Sequence, residues 1–114
     1  MRTIFLASVL VSLTLVLSYC SASKKAAKAP KTAYATGVQP LILANCSPCH
    51  IPAKNGNKKA LDTYDAAKAN IDTIIARIEL TPGQKGFMPS RKPKLSDSII
   101  AVFKKWKADG LVQN

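Results

Sequence analysis

Residues 46–50 read Cys46-Ser47-Pro48-Cys49-His50, and the rest of the chain can be read outward from them. Two thiols stand three residues apart, and the only His of the 114-residue chain follows the second directly. In so short a protein such a pentapeptide arises by chance only about once in a thousand chains. A zinc site cannot be completed within one chain, because the only other Cys is Cys20, inside an apolar leader, and there is no second imidazole. A thioredoxin-like redox pair calls for a βαβ pattern, and no stretch alternates as a strand should. A plain disulfide in an exported domain fits the spacing as well.

The remaining chemistry uses all three side chains at once. Each thiol can add across one vinyl group of a haem, and the adjoining imidazole is carried beneath the ring to ligate its iron. The pentapeptide resembles that of the c-type cytochromes. The resemblance implies haem c bound covalently through Cys46 and Cys49, with His50 as the proximal iron ligand.

Residues 1–23 read as an export signal: Arg2 as a basic start, an apolar run from Ile4 to Leu17, then a small polar cluster. That run is short for a membrane span, although an uncleaved anchor is the competing reading. Leu17-Ser18-Tyr19-Cys20 resembles a bacterial lipobox, in which Cys20 would become the lipidated first residue; Tyr19 departs from the small residue usual there. Ordinary cleavage after Ala22 or Ser23 is the other possibility. Both readings place the protein outside the cytoplasm, in the periplasm, free or lipid-anchored to the membrane.

Residues 24–35 are rich in Lys, Ala and Pro, with little to bury, and read as a flexible basic linker reaching on the order of 20 Å. The formal net charge is +11. Such an excess steers encounter toward acidic protein faces or anionic surfaces. The expected partners are redox proteins with acidic docking faces, not nucleic acid.

The folded domain is expected over residues 36–114. Thr36-Gly37-Val38-Gln39 has capping-box spacing, and Pro40 suits a first helical position. A helix to about Asn45 places Val38, Leu41, Ile42 and Asn45 on one face. Ile51 to Lys59 reads as loop. A further helical region opens with Asp62 or Thr63 as cap, and Asn70 can cap a second segment carrying Ile71, Ile74, Ile75 and Ile78 on one stripe. Thr81-Pro82-Gly83 ends it. Ser96 caps the last helix and Gly110 closes it, with Ile99, Ile100, Phe103 and Trp106 as its apolar face. Trp106 reads as core packing against the N-terminal helix, and Tyr64 as an ordinary half-buried residue in preference to a haem-propionate partner.

Gly86-Phe87-Met88-Pro89 resembles the distal loop of class I cytochromes c, in which the Met thioether is the sixth iron ligand. Apart from the initiator, Met88 is the only Met. The family places its haem peptide after an N-terminal helix that crosses the C-terminal one, usually through a Gly eight residues before the first Cys. Here that position is Val38 and Gly37 precedes it, which predicts a displaced crossing. The resemblance spans Val38 to Leu111. It implies an all-α, cytochrome c-like fold of four to five short helices around one haem, and one-electron transfer in place of enzymatic turnover. A carbonyl is expected to hold the His50 ring, and Ile42, Ile74, Ile78 and Phe87 are expected to line the pocket. A haem-based sensor or a peroxidase-like protein with an open distal face is the alternative.

Overall fold

The computed structural model describes residues 28–114. The leader, Cys20 and its lipobox-like context, and the first four residues of the expected linker, 24–27, lie outside the described residues.

The described residues hold three α-helices and no strand: α1, Gln39–Asn45; α2, Tyr64–Glu79; and α3, Asp97–Ala108. A π-helical turn, Tyr34–Val38, runs directly into α1, and a short 3-10 turn, Pro52–Lys54, follows the Cys46–His50 loop. This is an all-α arrangement with fewer helices than the four or five expected. The missing break is at Asn70, whose side-chain amide donates to Ala66 O at 2.7 Å within a continuous α2 and caps nothing. With no Gly or Pro between Tyr64 and Glu79, nothing in that stretch stops the helix.

The helix ends follow the local rules. Thr63 Oγ1 accepts from Ala66 N–H at 3.2 Å, and Ser96 Oγ accepts from Ile99 N–H at 3.4 Å. At the C-terminus of α3, Gly110 has φ 92°. Gly110 N–H donates to Lys107 O at 3.2 Å and Leu111 N–H to Trp106 O at 3.0 Å, a Schellman arrangement that only a residue tolerant of positive φ completes cheaply.

That turn aims the C-terminal residues back at the start of the domain. Tyr34 N–H donates to Val112 O at 2.8 Å, Ala35 N–H to Gln113 O at 3.0 Å, and Thr32 N–H to Asp109 Oδ2 at 2.6 Å. The Asp109 carboxyl is held below its ordinary range, chiefly by the Lys105 ammonium at 2.5 Å and then by the Thr32 amide. The packed domain therefore begins at Thr32, four residues before the boundary expected at Thr36, because the buried Tyr34 pulls the end of the supposed linker inward.

Tyr34, Tyr64 and Trp106 form an aromatic cluster with centroid separations of 5.7 to 6.3 Å. Each polar tip finds a carbonyl: Tyr34 OH reaches Asp62 O, Tyr64 OH reaches Leu111 O, and Trp106 Nε1 reaches Val112 O. Burial raises the Tyr34 hydroxyl above its usual pKa. Trp106 is a core residue packed on the N-terminal turn, as its sequence context suggests, and Tyr64 spends its hydroxyl far from the Cys46–His50 loop.

The crossing of the N-terminal segment with α3 is closed by Gly37. A Cβ there would stand 3.0 Å from Thr32 Cγ2 and 3.8 Å from Val102 Cγ1. A π turn holds one residue more than an α turn. It absorbs the one-residue offset of Gly37 while leaving Val38 fully buried. Val38, Ile42, Phe103 and Trp106 are the largest fully buried side chains, each contributing roughly 1.5–3 kcal/mol of transfer free energy. From α2, Ile71, Ile74 and Ile78 are buried and Ile75 is half-buried, as the stripe predicts.

Candidate functional site: a two-walled apolar cavity

A cavity of about 580 Å³ opens between the Cys46–His50 loop, α2 and the loop that joins α2 to α3. That volume falls within the ~300–1,000 Å³ typical of cofactor and small-molecule pockets. Cys46, Cys49 and His50 form part of its wall, and so does Met88, from the other loop. The four side chains singled out in sequence thus share one cavity although they come from two separate connections.

The Cys46–His50 loop is held by identifiable contacts. His50 N–H donates to Cys46 O at 3.1 Å, continuing the helical path out of α1. Lys58 N–H then returns to Cys49 O, and Leu61 N–H to His50 O, both at 3.0 Å. Between these links Ile51 is buried and pins the loop to the core. Gly56 lies so close beneath that a Cβ would stand 2.6 Å from Cys49 O and 2.8 Å from Ile51 O, and would also strike Pro48 O. No side chain fits there without opening the loop.

His50 Nδ1 lies 2.7 Å from Lys59 O. Since a carbonyl can only accept, Nδ1 is the donor, and in the neutral ring Nε2 then carries the lone pair. The carbonyl expected from the resemblance is thus Lys59's, supplied by a loop in which the sequence reveals no chemical role. Both thiols are unbridged. Cys46 is half-buried, and burial raises its pKa while the nearby Lys92 ammonium opposes that shift. Cys49 is exposed.

Met88 is half-buried, its backbone N–H donating to Arg77 O at 3.1 Å. Pro89 behind it is buried. Ile74 and Ile78 line the cavity as expected. Ile42 and Phe87 do not: Ile42 belongs to the core behind the loop and Phe87 is half-buried outside the cavity wall, so Leu61, Leu95 and Phe103 complete the apolar surface instead. Position on a helical stripe names a buried face but not which of two buried surfaces that face meets.

Charge is distributed unevenly about the opening. Lys58, Lys59, Arg77, Arg91 and Lys92 all border the cavity, and no Asp or Glu does. Carboxylates are instead spent elsewhere, in Lys107–Asp72, Lys104–Glu79 and Lys105–Asp109 pairs. No sequence periodicity marks this rim, which gathers residues from three separate segments.

Among the described residues no group of three or more His, Cys, Asp and Glu side chains could hold a metal ion. Nor is any helix there long and apolar enough to cross a membrane. No family model matches the chain, and no curated protein or solved structure matches it either.

Proposed function

We propose that the protein is a monohaem c-type cytochrome that transfers single electrons between redox partners outside the cytoplasm. One observation carries this reading: Cys46, Cys49, an imidazole with its Nε2 lone pair free, and the thioether-bearing Met88 border one apolar cavity of cofactor size. Among the described residues the two thiols and the imidazole are not grouped so as to retain a bare ion, and once the thiols are used for attachment one imidazole and one thioether remain as donors. They suffice for an iron whose other four donors arrive in a macrocycle.

In this reading the Cys46 and Cys49 sulfurs would hold haem c by thioether bonds, and the His50 imidazole and Met88 thioether would ligate its iron. Bound there, the haem supplies one iron that gains and loses a single electron. The chain's own contribution is positional and electrostatic. Lys59 O orients the His50 ring and raises its basicity. Ile74, Ile78, Leu95 and Phe103 exclude water and favour the less charged ferrous state. With an imidazole and a thioether both available to the iron, a site for substrate would not be left open, so this reading favours electron transfer over a ligand sensor or peroxidase.

The test is the absorption spectrum of the chain produced with c-type maturation machinery. Expected is a low-spin spectrum, with haem retained after acidic organic extraction and little change on adding CO. Colourless protein with free thiols would refute the assignment. A five-coordinate spectrum that CO converts at once would transfer it to a sensor or peroxidase class.

The cationic border supports a docking role toward acidic redox partners, whose faces would meet Lys58, Lys59, Arg91 and Lys92 at the cavity mouth. Exposed charges separated by more than about 10 Å are screened at ~0.1 M salt. Electron exchange with an acidic partner is therefore expected to slow by about tenfold or more between low and high salt, and stopped-flow rates indifferent to ionic strength would remove the steering role.

The export signal, the choice between a lipidated Cys20 and a free or membrane-anchored N-terminus, and the periplasmic location complete the proposal on sequence grounds.

A further inference from the structure

Arg77 touches the distal loop twice. Its carbonyl accepts the Met88 N–H at 3.1 Å, and its guanidinium Nη1 reaches Gly86 O at 3.5 Å. Gly86 has φ 91°, a left-handed conformation that glycine adopts cheaply, and a Cβ on it would make only ordinary van der Waals contact with Nη1 at 3.6 Å. Beyond Met88, Lys92 Nζ reaches Ser47 O at 3.5 Å and Lys94 Nζ bonds Glu79 O at 2.8 Å. Between Thr81 and Phe87 the loop's other bonds are internal: Thr81 N–H to Gln84 Oε1 at 2.6 Å, Gln84 N–H to Thr81 O and Phe87 N–H to Gln84 O at 3.1 Å. Those internal bonds shape the loop without fixing it to α2.

We infer that Arg77 is the positioning residue for Met88, grasping the Gly86–Met88 segment from α2 so that the thioether is held over the cavity. The inference rests on Met88 being the distal iron ligand. Arg77 is exposed and unpaired with any described carboxylate, so its side chain contributes little else to the fold.

The experiment uses full-length holoprotein and reads how readily exogenous imidazole displaces Met88, together with the methionine-to-iron charge-transfer band of the ferric state. Losing one side-chain hydrogen bond at the loop should raise imidazole affinity about fivefold in Arg77→Gln. Arg77→Lys, which keeps a cationic donor, should rise about twofold. Lys94→Gln is the charge control: Lys94 Nζ bonds Glu79 O at 2.8 Å near the same end of α2 but makes no bond to the Gly86–Met88 segment. Its affinity should match wild type. An Arg77→Gln protein indistinguishable from wild type, or a Lys94→Gln protein shifted equally, overturns the positioning role. If Arg77→Gln does not accumulate, an unchanged Arg77→Lys does the same. Absence of the charge-transfer band from wild type itself is a different failure, that of Met88 ligation.

Discussion

Protein made without haem attachment is expected to be largely unfolded: weak helical circular dichroism and no cooperative melt. The cavity is the reason. Without a filler the apolar walls at Ile74, Ile78 and Phe103 border an open cleft of about 580 Å³, and a domain of this size has only ~5 kcal/mol in total to lose. The aromatic cluster of Tyr34, Tyr64 and Trp106 does not line the cavity and cannot replace the missing filler. A Cys46→Ala/Cys49→Ala double variant gives the same measurement in the full chain. Its cooperative unfolding at wild-type temperature would contradict the view that the cofactor completes the core.

Replacing Met88 by Ala is expected to change the chemistry more than the stability. Met88 is half-buried, and Pro89 and the Arg77 carbonyl still hold the backbone of the loop. With the thioether gone, one axial position opens. CO and imidazole should then bind without displacing a protein ligand. The midpoint potential should fall by a sizeable part of the ~0.8 V range that axial ligands command, because the soft sulfur that favours ferrous iron is lost. Redox titration and CO difference spectra measure both effects. A variant whose spectrum and potential stay at wild-type values shows that Met88 was never a ligand, which returns the protein to the sensor or peroxidase class.

The candidate site was unevenly legible in the sequence. Cys46, Cys49 and His50 could be read because their chemistry is set by covalent spacing within one turn of chain. Met88 could be named because no other Met in the described chain competes with it. Lys59 could not be found: its role is performed by a backbone carbonyl, which every residue possesses. Gly56 lies in a stretch that reads only as loop, and its contact with the Cys49 and Ile51 carbonyls depends on how that loop folds back. Arg77 and the cations around the cavity mouth were equally hidden, since a Lys or Arg in a basic chain is by default a solvated surface residue.

The fold divided in the same way. Thr63, Ser96 and Gly110 marked helix ends because capping is a contest between neighbouring groups. Asn70 misled for that reason too: it carries the right side chain, but a cap forms only where the helix is already ending, and α2 continues through it. The sequence by itself determined that the described chain is helical, where Thr63 and Ser96 cap and Gly110 closes a helix, and which thiols, imidazole and thioether it has to offer, but not the start of α1, where the capping box expected at Thr36 does not form. Tertiary structure alone decided that Tyr34 brings the domain's start to Thr32, that Ile42 faces the core while Ile74 and Ile78 face the cavity, and that the Lys59 carbonyl meets His50. Those outcomes depend on which distant surfaces come together, and a pattern of neighbours along the chain carries no record of that.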